Sequence, residues 1–212
     1  MKLIFIRHGY SKSNEKGLFT GRTNVSLTQL GFIQAKKTAE FLAKNFSIDK
    51  IYSSPLKRAR QTARPIADAF GLPVIIDYAL CEIDGGKWEE KSAEQLMQLY
   101  PEDYSLWLTN IGLAHCTGGE SMLRVQQRAL NEVLRIAAEN PGKTVALVTH
   151  AGVIRTQQCV WQNIPPENMK DIPWVPNASY SVVDCDGDKF NAEIIGCDKH
   201  LADISTNLPK GI

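Results

Sequence analysis

Leu3-Ile4-Phe5-Ile6-Arg7-His8-Gly9 is the stretch on which the reading of this chain turns. Four consecutive apolar residues rich in strand formers describe a short, buried strand. The run ends on a guanidinium, an imidazole and a residue without a side chain, so the strand delivers two polar groups to a loop, with a glycine that lets a ligand approach the backbone. Functional groups gather at such strand exits in open α/β sheets.

Working outward, the same pattern returns at Thr144-Val145-Ala146-Leu147-Val148-Thr149-His150, a second apolar strand that ends on a histidine. Lys50-Ile51-Tyr52 is a brief strand, and Ser53-Ser54 is placed to cap a helix with Pro55 near its first turn, running to about Phe70 before Gly71 and Pro73. From Ser26, apolar residues at Leu30, Ile33, Ala39 and Leu42 with a cap at Thr28 predict an amphipathic helix. Val74-Ile75-Ile76 reads as a third strand, residues 93–99, 102–108 and 121–138 as helices, and Gly152 opens another that stops before Pro165-Pro166. Residues 180–185 and 190–195 flank Asp186-Gly187-Asp188 as a closing hairpin. Strands alternating with helices predict an α/β three-layer sandwich, with a mostly parallel central sheet and helices on both faces. With 212 residues and no linker, repeat or low-complexity stretch, the expectation is a single domain over 1–212.

Composition narrows the partners rather than the activity. Twenty-four basic and 23 acidic residues leave a formal charge of +1, so no basic stripe suits nucleic acid and no field favours a membrane surface. Any anion must be recognised locally. The five cysteines, Cys81, Cys116, Cys159, Cys185 and Cys197, are odd in number and lack C-x-x-C spacing, which fits reduced thiols in a cytoplasmic protein. The N-terminal apolar block is too short for a signal peptide, and no stretch approaches the roughly 20 apolar residues of a membrane span.

Four segments carry chemistry. Arg7-His8-Gly9 and Val148-Thr149-His150-Ala151-Gly152 bring two histidines to two strand exits, where they can converge on one crevice. Ser53-Ser54-Pro55-Leu56-Lys57-Arg58 places arginines in the first turns of a helix, whose N-terminus attracts anions; Lys57, Arg60 and Arg64 read as a solvated basic face. Leu80-Cys81-Glu82-Ile83-Asp84-Gly85-Gly86-Lys87-Trp88-Glu89 is a loop with several carboxylates, meaningful only beside the other three.

Together these segments resemble the histidine phosphatase superfamily, also called phosphoglycerate-mutase-like, over most of the chain. The resemblance implies a phosphohistidine at His8, with Arg7, Arg58 and His150 on the phosphoryl oxygens and Glu82 as the general acid. Asn14, Ser11, Gly21, Arg22 and Ala151 are implied as substrate-binding. Gly21, Leu27-Thr28 and Gly31 fit a further family signature, with Asn24 in place of its usual Asp, and Gly118-Gly119-Glu120-Ser121 fits another. Ser11 stands for Thr, Ala151 for the commoner Gly, and Glu90 for the Gly that often follows Trp-Glu, where it would alter the pocket rim.

These residue types suit phosphoryl transfer, which needs a positioned nucleophile, charge on the nonbridging oxygens and a proton for the leaving group. A neutral imidazole at His8 has a lone pair for phosphorus, and arginine forks stand in for a metal ion. Glu82 must carry its proton to serve the leaving alkoxide. His8, His115, His150 and His200 show no H-x-x-x-H pair, so neither a catalytic metal nor another cofactor is expected. The short loop after Glu82 and the 35 residues from Cys81 to Cys116 resemble the phosphatase rather than the mutase branch, with 83–117 as the substrate-specificity insert. The expected function is hydrolysis of a small cytoplasmic phosphomonoester; phosphosugar, phosphoglycerate, phosphoserine and ribazole phosphate are the candidates the family implies. Phosphoglycerate mutase-type transfer and a noncatalytic phospholigand-binding module are the alternatives, the latter opposed by the presence of both His8 and Glu82. Trp88, Trp107 and His115 are candidates to line or cap the pocket, and residues 200–212 to form a loose end or a lid. A homodimer is compatible with the sequence.

Overall fold

The computed structural model describes residues 1–206. Six strands, β1 (Lys2–Arg7), β2 (Lys50–Ser53), β3 (Val74–Ile76), β4 (Thr144–Thr149), β5 (Tyr180–Asp186) and β6 (Lys189–Cys197), form one sheet in the order β3-β2-β4-β1-β5-β6. The helices are α1 (Lys12–Lys16), α2 (Gln29–Asn45), α3 (Lys57–Phe70), α4 (Ala93–Leu99), α5 (Pro101–Thr109), α6 (Met122–Glu139) and α7 (Ala151–Trp161). β1 to β4 run parallel, while β5 and β6 close one edge antiparallel, so the sheet is mostly parallel as the sequence predicts.

Alternation along β1 decides the layering. Ile4 and Ile6 pack with Ala39 and Leu42 of α2 and with Ala59, Ala63 and Ile66 of α3. Leu3 and Phe5 point the other way, onto Val133 and Ile136 of α6 and Ile154 and Trp161 of α7. Each such aliphatic or aromatic side chain contributes about 1.5–3 kcal/mol on burial, which is why an uninterrupted apolar run is needed where both faces are covered. A third core, built by Phe19, Ile83, Trp88, Leu96, Tyr104 and Trp107 against Met122 and Val125 of α6, fills the segment between β3 and α6.

Sheet register sets the site. Arg7 pairs with Thr149 and Ser53 with Val148, so the exits of β1, β4 and β2 lie side by side at one edge. His8 and Ser54 donate their backbone N–H groups to Thr149 O (3.0 Å) and Val148 O (3.0 Å), continuing the ladder into the loops.

Three local expectations are corrected. Thr28 caps α2 as predicted, its hydroxyl accepting from Gly31 N at 3.1 Å, but Ile33 lies on the exposed side. The buried stripe is Gly31, Gln34, Ala35, Thr38, Ala39 and Leu42, because Gln34 and Thr38 are satisfied by hydrogen bonds to Tyr10 N (2.8 Å), Ile204 O (2.8 Å) and Ala178 O (3.0 Å). Ser54 does not cap α3 in the usual way. Instead Asn24 Oδ1 accepts from Lys57 N at 2.7 Å, and Ser54 Oγ accepts from Leu56 N at 3.3 Å. At Gly9 a Cβ would meet Gly31 O at 2.6 Å, so its missing side chain lets α2 approach. Of the segment 200–212, the part to 206 packs on α2, with Leu201 buried and His200 Nε2 2.8 Å from Thr38 Oγ1; the rest lies outside the described residues.

Candidate active site

A cavity at these strand exits has a floor made of Arg7, His8, Arg58 and Glu82, joined by Ser11, Asn14, Ala151 and Gly152. His8 follows β1 directly and is 4% exposed. Its Nδ1 lies 2.8 Å from Gly9 O, and since a carbonyl only accepts, this assigns the ring proton to Nδ1 and leaves the lone pair on Nε2. Arg58 Nε donates to that Nε2 at 3.2 Å. The rest of the Arg58 fork is fixed by carbonyls, Nη1 on Thr23 O (2.9 Å) and Nη2 on Gly21 O (2.7 Å). Arg7 gives Nη1 to Val175 O at 2.6 Å, while its buried Nε has no hydrogen-bond partner. Asn177 Nδ2 donates to His8 O (3.1 Å) and Asn14 Oδ1 (3.3 Å), and Asn14 Oδ1 also accepts from Ser11 N, so the amide NH2 of Asn14 is the group left for a ligand.

Glu82 is held from the other side. Its Oε1 accepts from Ile83 N (3.0 Å) and its Oε2 from Gly152 N (3.1 Å) in the first turn of α7. A Cβ at Gly152 would sit 2.3 Å from Glu82 Oε1, so a side chain there would push the carboxylate from this position. Behind it, Arg128 pairs with Glu120 (2.8 Å) and donates to Glu82 O (3.1 Å), which gives the Gly118-Gly119-Glu120 signature a structural role.

Electrostatics favour a neutral nucleophile. Burial, reinforced by the charges of Arg58 and Arg7, holds the His8 imidazole well below its usual range. His150, fully buried with its ring centroid 5.1 Å from that of His8, is lowered in the same way by burial and Arg58. Burial also pulls Arg7 and Arg58 down to about 10, so both remain charged at neutral pH. Two guanidiniums against one carboxylate leave buried positive charge that a phosphate-like anion complements.

The structure thus gathers His8, Glu82, Arg7, Arg58, Ser11, Asn14 and Ala151 on one cavity. His150 lies beside His8 but behind the cavity surface, its Nε2 2.8 Å from Ser54 Oγ and its Nδ1 without a partner. Gly21 and Arg22, expected to touch substrate, do not line the cavity: Gly21 spends its carbonyl on Arg58, and the Arg22 side chain reaches Asp84 (3.5 Å) and Glu120 (3.6 Å). Trp88 is fully buried in the core, with its indole N–H on Thr117 Oγ1 at 3.0 Å, and His115 is exposed beside Asp103. Trp107 does line the cavity. Sequence reasoning missed Leu18, Phe19, Thr20 and Trp174 on its walls, and Asn177 beneath it. The signal for Trp174 was its setting, Pro173-Trp174-Val175-Pro176, where two prolines exclude helix and fix an aromatic in a loop. Among the described residues no group of three or more His, Cys, Asp or Glu side chains is placed to hold a metal, and no helix is long and apolar enough to cross a membrane.

A mostly parallel sheet brings Arg7, His8 and His150 to its strand exits beside Arg58 in the first turn of α3, a set of groups suited to a phosphoryl anion. Residues 3–198 match the sequence model of the histidine phosphatase superfamily (branch 1), and the chain belongs to that superfamily. It is 34% identical over 183 residues to phosphoserine phosphatase 1 of Hydrogenobacter thermophilus, covering 86% of each chain. Among solved structures, Bacillus stearothermophilus YhfR superposes with a TM-score of 0.89 at 28% identity, over 94% of this chain and 98% of that one. A mycobacterial glucosyl-3-phosphoglycerate phosphatase superposes with a TM-score of 0.85 at 27% identity, over 93% and 99%.

Proposed function

We propose that the chain hydrolyses a small phosphomonoester through a covalent phosphohistidine on His8, without a metal ion. The observation that carries this reading is the Nε2 lone pair of a neutral His8, flanked by two fixed guanidiniums and sharing a cavity with Glu82. In the first step Nε2 attacks phosphorus, the N–P bond forms, the P–O ester bond breaks and Glu82 gives its proton to the departing alkoxide. In the second, the Glu82 carboxylate takes a proton from water, whose oxygen attacks phosphorus and breaks the N–P bond, releasing phosphate. Arg7 and Arg58 bind the nonbridging oxygens where charge gathers, the part a metal plays elsewhere. A proton donor of this kind is typically worth about 10²–10⁴ in rate. The phosphatase names of the relatives support hydrolysis over return of the phosphoryl group to a bound acid.

The test is phosphate release from a panel of phosphomonoesters in excess EDTA, comparing wild type with His8→Ala. Turnover by wild type and silence of the variant is the expected result. Turnover that requires added metal, or an active His8→Ala variant, refutes the mechanism.

A further inference from the structure

The floor and the walls of the cavity differ in kind. Every charged side chain that lines it, Arg7, Arg58 and Glu82, belongs to the floor already assigned to the phosphoryl group and its proton. The walls above are Leu18, Phe19, Thr20, Ile83, Trp107 and Trp174. Phe19 meets Trp107 edge-on at 5.3 Å and 72°, and Trp107 runs nearly parallel to Trp174 at 6.4 Å and 30°, so three packed aromatic rings form one side of the cavity. The Thr20 hydroxyl donates to Leu18 O at 3.1 Å, which uses its only proton.

Nearby charge is turned elsewhere. The Arg155 guanidinium lies 4.3 Å over the Trp174 ring and donates to Met169 O (3.0 Å) and Lys170 O (3.2 Å), and it is absent from the lining. Arg22 is committed to Asp84 and Glu120. A substrate carboxylate or ammonium group lying against the walls would therefore meet no charged side chain among the wall residues, which is unfavourable unless it is paired. A flat apolar group gains there burial and contact with the exposed parts of these rings.

Building on the phosphatase reading, we infer that the leaving alcohol is uncharged and carries a flat, largely apolar ring that lies against Trp107 and Trp174. Such an inference runs against phosphoserine and phosphoglycerate as the preferred substrates, although a relative is named for the former.

The experiment compares esters of primary alcohols, so that leaving-group chemistry stays similar: ethyl phosphate, 2-phenylethyl phosphate and O-phosphoserine, with 3-phosphoglycerate alongside. We expect kcat/KM for 2-phenylethyl phosphate to exceed that for O-phosphoserine and for 3-phosphoglycerate at least tenfold. In Trp174→Ala the ratio of 2-phenylethyl to ethyl phosphate should fall at least fivefold, a ratio that cancels any loss of folded enzyme. Equal or better turnover of phosphoserine or phosphoglycerate overturns the inference while the phosphatase reading stands. So does an unchanged ratio in Trp174→Ala. Silence on all four esters overturns both.

Discussion

Glu89 touches no lining group of the cavity, yet its replacement by glutamine should disable the enzyme. Oε1 accepts from Arg22 N (2.6 Å) and Gly85 N (3.0 Å), while Oε2 accepts from Gly21 N (3.1 Å), Thr23 N (3.1 Å) and the Thr23 hydroxyl (2.5 Å). The loop so gathered, residues 21–23, carries the two carbonyls that hold the Arg58 fork. An amide has one accepting oxygen, so Glu89→Gln keeps one cluster of donors and turns an NH2 toward the other. At about 1.5–3 kcal/mol for each hydrogen bond to a charged group, the loss of two amounts to roughly 3–6 kcal/mol. Water reaching this partly exposed carboxylate recovers some of that, so about 2–4 kcal/mol of unfolding free energy should disappear. An Arg58 displaced by about 1 Å should lower kcat/KM on the order of 100-fold. Urea unfolding at pH 7 reads the first quantity and steady-state hydrolysis the second, with Glu90→Gln as a neighbouring surface control. A Glu89→Gln variant within about 0.5 kcal/mol and twofold of wild type would refute the chain of support from Glu89 to Arg58.

Glu82→Gln with p-nitrophenyl phosphate, whose leaving group needs no proton, should give a single burst and a phosphoryl mass on His8; steady turnover at the wild-type rate removes Glu82 from the mechanism. Arg58→Lys leaves one ammonium where three donors meet His8, Gly21 and Thr23, and should cost about 10²–10³ in kcat. Because burial holds folded His8 and His150 well below 6.5, only the unfolded chain takes up these two protons, so they leave stability unchanged above pH 6.5 and lower it below, by up to about 2.7 kcal/mol per pH unit. Asp77, pushed up to about 6 by burial and Glu132, works in the opposite sense, so urea unfolding from pH 5 to 7.5 should show the steeper slope in Asp77→Asn; a flat profile there counts against neutral histidines. Glu90 sits at φ +60°, and Glu90→Gly should raise stability by about 0.5–1 kcal/mol in the same assay.

The central strands and the charged floor were legible because each is encoded locally. An apolar run announces β1 and β4, and the residue after each run is the one the sheet delivers to the site. What stayed hidden depends on residues far apart in the chain. Gln34 and Thr38 look like solvent-facing positions of α2 until Tyr10, Ala178 and Ile204 come to meet them. Asn24 satisfies the start of α3 across 33 positions, a partnership that capping rules based on adjacent residues do not anticipate. The resemblance implies substrate contacts at Gly21 and Arg22, while their backbone groups hold Glu89 and Arg58. The Pro173-Trp174-Val175-Pro176 setting marks Trp174 as a loop aromatic, but its place beside Trp107 exists only after folding.

The groups of the floor are steered almost wholly by main-chain atoms: His8 by Gly9 O, Arg7 by Val175 O, Arg58 by Gly21 O and Thr23 O, Glu82 by the N–H groups of Ile83 and Gly152. Main-chain atoms do not change when a codon does. The wall, by contrast, is all side chain. Under the proposed mechanism, chemistry and choice of alcohol are therefore inherited through separate channels, and a library randomised at Leu18, Phe19, Trp107 and Trp174 should yield members that keep the reaction while exchanging the alcohol they release.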